Sequence, residues 1–210
     1  MHQSRFDLRR VMRHQRRTLP ARQRHDAAQR LSRHLVRSRL FRHSRDIAVY
    51  WAADGEIDPA PFVRSAWRAG KRIYLPVLAR YGNGGLWFRR YTPQTRLSPN
   101  RFGIPEPGPY QGRSIPRRQL DLVLTPLVAF DPRGNRLGMG GGFYDRTFAF
   151  LHHRRRWQHP RLLGLAYAFQ QTETLPAEPW DVPLWGVATE SGLRAFTPRA
   201  PADAPETADA

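Results

Sequence analysis

Four glycines fall within the five positions Gly138 to Gly142, inside the run Phe130-Asp131-Pro132-Arg133-Gly134-Asn135-Arg136-Leu137-Gly138-Met139-Gly140-Gly141-Gly142-Phe143-Tyr144-Asp145-Arg146. An apolar stretch, Leu122 to Phe130, precedes them and a helix-like segment follows. Glycine at that density gives up backbone entropy and adds no packing, so a folded chain keeps it where bare amide N–H groups must approach something closely. Phosphate is the usual partner, since it accepts from free N–H groups and favours the positive end of a following helix. Arg133, Arg136 and Arg146 bring positive charge to the same place. The segment reads as a nucleotide loop.

Neither common phosphate motif is present. A P-loop ends in Gly-Lys-Ser/Thr, and the only lysine is the distant Lys71. A dinucleotide fingerprint needs a glycine where Phe143 stands. A flexible turn is the plain alternative, and the strand–loop–helix setting with its flanking arginines favours the phosphate reading over it.

With 210 residues the chain can bury a substantial core in one domain. A hydrophobic fraction of 40% places it among globular proteins rather than disordered ones. The absence of cysteine excludes disulfides and thiolate metal sites, and fits a reducing compartment. Met1 to Phe6 is too polar for a signal peptide, and no apolar run approaches the roughly 20 residues that span a bilayer. A soluble, cytoplasmic protein without a membrane partner is expected.

The formal charge is +18, and residues 1–45 hold 14 arginines against Asp7 and Asp26, a net of +12. Such a field attracts polyanions. No nucleic-acid-binding module accompanies it, and aromatic residues are not interleaved with the charge, so specific nucleic-acid binding is not expected. Attraction of anionic small molecules is the better use of the field.

Residues 5–17 read as a short basic helix, and a second helix starts near Pro20 with Ala27, Ala28, Leu31, Leu35 and Val36 as its apolar stripe. Asp46 to Trp51 reads as the first strand, followed by a helix from Asp58-Pro59 that ends at Gly70. Arg72 to Val77 and Leu86 to Tyr91 are further strands, and residues 92–119 form an irregular excursion. Leu120 to Thr125 suits the centre of a parallel sheet. The glycine loop follows, then a helix over about Gly142 to Arg154, with strands at Leu162 to Tyr167 and Val187 to Thr189. Residues 1–197 are expected to form one domain and 198–210 a disordered tail. Alternating strands and helices give an α/β layered fold with a largely parallel sheet, in which ligands bind beyond the carboxyl ends of strands. The loops after Trp51, Thr125 and Tyr167 are therefore the ones to watch.

Glu56, in Ala53-Asp54-Gly55-Glu56-Ile57-Asp58, should project near that edge, where a carboxylate can accept two N–H donors from a heterocycle such as a pterin. Asp58, before Pro59, is better suited to starting the next helix. Asp145 lies one turn into the helix after the glycine loop, where an acid complements the dipole and is also a natural Mg²⁺ ligand beside phosphate. Asp181 is a second carboxylate before a late strand; as a residue alone it reads more readily as part of a turn. The histidines at 2, 14, 25, 34, 43, 152, 153 and 159 lack the spacing of a metal site and read as solvated surface residues. No arrangement suggests a covalent nucleophile.

The signature Asn135-Arg136-Leu137-Gly138-x-Gly140-Gly141-Gly142-Phe143-Tyr144-Asp145 resembles that of the 5-formyltetrahydrofolate cyclo-ligases, also called methenyltetrahydrofolate synthetases. The likeness continues through Asp54 to Asp58, Trp67 to Arg72, Gly103-Ile104-Pro105-Glu106-Pro107, and Trp180-Asp181 to Thr189-Glu190, covering roughly residues 5–196. Five ordered blocks are far more specific than one. The resemblance implies a single three-layer α/β/α domain like that of the ribose-5-phosphate isomerase and CoA-transferase group. It implies ATP- and Mg²⁺-dependent cyclisation of 5-formyltetrahydrofolate to 5,10-methenyltetrahydrofolate, with ADP and phosphate released, by a monomer whose partner is the folate itself.

By the same resemblance, Arg5 and Arg9 meet ATP phosphates and Arg136 to Tyr144 form the nucleotide loop, with Met139 to Phe143 also touching the folate. Trp51 and Glu56 hold the pterin, and Asp145 and Asp181 ligate Mg²⁺. Met139 and Gly141 stand where several relatives carry a basic residue, so the charge must come from Arg5, Arg9, Arg136 or Arg146. Two rival readings are an RNA-associated protein, from the basic N-terminal segment, and a sugar-phosphate isomerase of similar fold, which would need a general base not evident here.

Overall fold

A computed structural model describes residues 4–79, 84–108, 111–152 and 159–196. The expected tail over 198–210 and the end of the helix expected to reach Arg154 lie outside these residues. Ser4 opens helix α1 (Arg5–Thr18), its hydroxyl oxygen accepting the Asp7 amide at 3.1 Å. Helix α2 (Ala21–Val36) follows Pro20 and buries Ala27, Ala28, Leu31 and Leu35, as its periodicity requires. A one-turn helix not foreseen, α3 (Arg39–His43), is capped by the Ser38 side chain.

Then come β1 (Asp46–Ala48), α4 (Ala60–Arg68), β2 (Arg72–Leu78) and β3 (Leu86–Tyr91). Among its described residues, the excursion over 92–119 carries three short strands: β4 (Leu97–Pro99), β5 (Pro105–Pro107) and β6 (Ser114–Ile115). After them run β7 (Leu122–Pro126), β8 (Ala129–Phe130), β9 (Arg136–Leu137), α5 (Phe143–Phe148), β10 (Arg161–Leu165), β11 (Gly186–Thr189) and β12 (Gly192–Ala195).

Among the described residues, eight strands join one mixed sheet in the order β12-β11-β10-β7-β1-β2-β3-β6. The central pairs β11–β10, β10–β7, β7–β1 and β1–β2 are parallel, and the flanking pairs are antiparallel. Side chains alternate across it with period two. Ile47, Ile73, Leu75, Leu122, Leu124, Leu163 and Leu165 pack under α2, α3 and α4. Ala48, Tyr74, Val123, Leu162 and Val187 face Phe130, Phe148, Val182 and Leu184 on the other side. A helix-flanked α/β domain results, with β7 near its centre.

Three local expectations are corrected. The glycine loop does not follow the central strand directly: Pro126 ends β7, and the chain first makes the β8–β9 hairpin. Asp131 closes that hairpin, its fully buried carboxylate accepting from the Arg133 and Asn135 amides, the Asn135 side chain and the Leu175 amide. Helix α5 ends at Phe148, whose φ of −109° leaves the helical region, and a 3-10 turn over Ala149–Leu151 follows. Strand β1 stops at Ala48; one further bond, from the Val49 amide to the Tyr74 carbonyl, follows before Tyr50 donates its hydroxyl to the Ile57 carbonyl at 2.6 Å. No helix among the described residues is long and apolar enough to cross a membrane.

Candidate functional site

At the carboxyl edge of β1, β2 and β7 lies a cavity of about 860 Å³. The glycine loop forms one wall. Gly140 at φ +100° and Gly142 at φ +60° take left-handed backbone conformations that side chains resist, which is why glycine stands there. Gly138, Met139, Gly141, Phe143 and Tyr144 complete that wall. Leu137 does not reach the cavity; it is buried beside Leu8, Ala129 and Leu175, where it docks α1 against the hairpin.

The three arginines near the loop divide their work. Arg136 lines the cavity from within the fold, donating to Asp145 Oδ1 at 2.5 Å and to the Val182 carbonyl. Burial lowers the affinity of its guanidinium for a proton, and Asp145 and Asp181 partly restore it. Arg146 instead braces the loop, donating to the carbonyls of Gly141 at 2.7 Å and Gly84 at 3.1 Å. Arg133 is exposed at the hairpin turn. The positive charge lining the cavity therefore comes from Arg136 and from α1, whose Arg5 and Arg9 both line it. Arg9 Nε donates to the Gly138 carbonyl at 2.8 Å. Its pKa is lowered by burial and by Arg5, against the pull of Asp181. Because α5 has only six residues, its dipole adds less than a long helix would, and guanidinium charge dominates.

Asp145 and Asp181 also line the cavity. One oxygen of each is engaged: Asp145 Oδ1 accepts from Arg136 and the Val182 amide, and Asp181 Oδ2 from Arg5 at 3.2 Å and the Glu178 amide at 3.0 Å. The second oxygen of each has no hydrogen bond among the described residues. No group of three or more His, Cys, Asp or Glu side chains among those residues is placed to hold a metal.

The opposite wall is the loop after β1, carrying Trp51 and Glu56. Trp51 stays 38% exposed, edge-on to Tyr91. Glu56 Oε2 accepts the Ala53 amide at 3.0 Å, and burial pushes its carboxyl up to about 7 against that bond and the Arg16 charge. Asp58 accepts the Ala60 amide at 2.9 Å, so it starts α4. Burial also pushes the Tyr144 phenol up, with Glu56 adding to the effect. Of the three loops singled out in the sequence, those after β1 and β7 border the cavity, while the turn after Tyr167 packs under it through Gln170, which donates to the carbonyls of Leu127 and Val128.

Arg16 and Asp54 are the important residues that sequence reasoning missed. Asp54 accepts from Arg13, Arg16 and Arg17, and Arg16, fully buried, also reaches the Leu127 carbonyl at 3.2 Å and Met139 Sδ at 3.6 Å. Spacing held a clue, since positions 13, 16 and 17 share one helix face. Phe102, edge-on to Phe143 with centroids 6.0 Å apart, was likewise hidden in the irregular excursion.

Residues 1–190 match the 5-formyltetrahydrofolate cyclo-ligase family. The chain is 43% identical to the 5-formyltetrahydrofolate cyclo-ligase of Haemophilus influenzae, over 88% of this chain and 97% of the relative. It is 42% identical to that of Escherichia coli K12, over 86% and 97%. Among solved structures, the Aquifex aeolicus 5,10-methenyltetrahydrofolate synthetase superposes with a TM-score of 0.77 at 29% identity, covering 98% of this chain and 99% of that one.

Proposed function

The chain belongs to the 5-formyltetrahydrofolate cyclo-ligase family, and from that premise we propose that it spends ATP to close 5-formyltetrahydrofolate to 5,10-methenyltetrahydrofolate in the cavity between the glycine loop and Glu56. The observation that carries this reading is the convergence on one cavity of a glycine-rich wall, three arginines from α1 and β9, and a buried carboxylate opposite.

The chemistry needs those groups. A formamide oxygen is a poor leaving group, so ring closure requires its activation. Its attack on the γ-phosphorus expels ADP and leaves an iminium-like carbon bearing a phosphate. N10 then attacks that carbon and gives up its proton, and phosphate departs with the former formyl oxygen. Such a transfer relies on positioning and charge neutralisation rather than a protein nucleophile. Loop amides from Gly138 to Gly142 would bind phosphate oxygens, with Arg5, Arg9 and Arg136 offsetting their charge. Glu56 would accept pterin N–H donors, with Trp51 against the ring.

Asp145 and Asp181 fit Mg²⁺, which commonly takes one or two carboxylates and completes its shell with phosphate oxygens and water. Both line the cavity, each has one oxygen without a hydrogen bond among the described residues, and their other oxygens are held by arginine and amide bonds. The ion would neutralise charge on the transferring phosphoryl group. Cytoplasmic location and a monomeric state complete the proposal.

Incubation with 5-formyltetrahydrofolate, ATP and Mg²⁺ should raise methenyl absorbance, with one ADP formed per methenyl group. Folded protein that gives no ATP-dependent rise would reject the reading.

A further inference from the structure

The first 45 residues hold 14 arginines, and the structure divides them in two. Those of α1 have partners. Arg5 pairs with Glu178 and Asp181, Arg9 donates to the Gly138 carbonyl, Arg10 pairs with Asp7, and Arg13, Arg16 and Arg17 converge on Asp54.

Residues 21–45 hold the other eight arginines against a single acid, Asp26. Among these, Arg22, Arg30, Arg33 and Arg37 are all exposed. Arg37 caps α2 and keeps a helical backbone at φ −76°. At about 100° per residue the four fall within about 80° of one another around the helix, opposite the Ala28, Leu31 and Leu35 face that packs into the core. Arg30, Arg33 and Arg37 have no side-chain hydrogen bond or ion pair among the described residues. Arg22 meets Asp26 at 4.0 Å with its side chain almost wholly in solvent, a contact worth little. Arg42 of α3 donates to the Arg37 carbonyl at 3.4 Å, which brings a further guanidinium to the end of the row.

The row is about 22 Å long, and Arg30, Arg33 and Arg37 follow one another at rises of about 4.5 and 6 Å. Guanidinium groups so spaced suit a chain of phosphates, which they grip as bidentate donors. None of the exposed large apolar residues lies on α2 or α3. The face therefore lacks the wedge that seats a basic helix in a membrane, the apolar centre of a protein interface, and the aromatic platform that stacks unpaired bases. A double helix, met through its backbone alone, is what remains. Gln23 and His34, exposed along one border of the row, can each donate to or accept from a 2′-hydroxyl, which favours RNA over DNA.

We propose that this outer face of α2 binds the phosphate backbone of double-helical RNA without reading its sequence. The surface lies apart from the glycine-loop cavity and stands whether or not that cavity closes a folate.

Fluorescence anisotropy of a short labelled RNA duplex on the full chain tests this. Between about 50 and 200 mM salt, the logarithm of the affinity should fall linearly with that of salt, with a slope of about −3 to −4 for three or four phosphate contacts. Arg30→Gln/Arg33→Gln/Arg37→Gln should flatten the slope by about 2 to 3 and weaken binding roughly tenfold or more, with cyclo-ligase turnover unchanged. The control Arg113→Gln/Arg117→Gln/Arg118→Gln removes equal charge from exposed positions by β6, at the far edge of the sheet, and should keep affinity within about twofold. Circular dichroism confirms that all three proteins are folded. Equal weakening in both variants would mean that net charge alone attracts the duplex, and would overturn the proposal. So would no binding by wild type, or tighter binding to the matching DNA duplex or to phosphatidylglycerol vesicles than to the RNA.

Discussion

Arg16 and Asp54 form a buried ion pair, with Arg16 Nη2 2.6 Å from Asp54 Oδ2 and no part of Arg16 open to solvent. Arg16 Nε also donates to the Asp54 carbonyl at 2.8 Å, and Asp54 holds a left-handed backbone conformation at φ +52°. Through this pair α1, which supplies Arg5 and Arg9, is locked to the loop that supplies Trp51 and Glu56. Arg16 also touches the glycine loop at Met139, so both cavity walls hang on one guanidinium.

Removing one member of such a pair strands the other, which costs about 3–5 kcal/mol. Asp54→Asn should therefore lose about that much in urea unfolding. The exposed pair Arg10–Asp7 provides the contrast, and Asp7→Asn should cost no more than about 1 kcal/mol. For Asp54, burial raises the pKa, but hydrogen bonds from Arg13, Arg16 and Arg17 outweigh it and hold the carboxyl at about 2. Its contribution is present above its ordinary 3.8 and is lost as pH falls through about 2.

Glu56 runs with the opposite sign. Its folded pKa of about 7 lies above the ordinary 4.5, so its contribution to stability is present below 4.5 and is lost as pH rises through 7. Wild-type stability should fall by up to about 3 kcal/mol across that window, and Glu56→Gln should flatten the fall in unfolding curves taken from pH 4 to pH 8. Folate affinity should move the other way, because N–H donors favour the ionised carboxylate. The same variant should weaken folate binding more than ATP binding, and equal loss of both would indicate a structural role.

Much of this could be read from the chain, and the failures are physical. The continuous apolar run at Leu120 to Thr125 marks the central strand, and the glycine cluster, read as a nucleotide loop, does form a cavity wall, because both features are local. The hairpin of β8 and β9 escaped notice because two-residue strands leave no periodic trace. Arg16 lies in a basic helix beside Arg13 and Arg17 with nothing in the sequence to set it apart; only the tertiary approach of Asp54 buries it. Helix α5 was drawn too long because Phe150 and Leu151 extend the apolar spacing through the 3-10 turn.

Asp145→Asn and Asp181→Asn should each raise the Mg²⁺ concentration needed for half-maximal turnover about tenfold or more, while folate binding without nucleotide stays within twofold. A change in folate binding of the same size would point instead to collapse of the Arg136 and Arg5 contacts.

Gly140→Ala forces a side chain into φ +100°, at a cost of about 1–3 kcal/mol of local strain. The added methyl meets nothing nearer than Arg9 Cζ at 4.0 Å, so the effect is conformational rather than steric. Titration with a nonhydrolysable ATP analogue should show weaker binding, with Tm lowered by only a few degrees. Unchanged nucleotide affinity would remove the loop from the phosphate site.

The central claim is that ATP activates the formyl oxygen, and isotope tracing tests it most directly. With ¹⁸O in the formyl group, each inorganic phosphate released in a turnover should carry one labelled oxygen, detected by mass spectrometry. Label recovered in water, with unlabelled phosphate, would contradict phosphorylation of that oxygen.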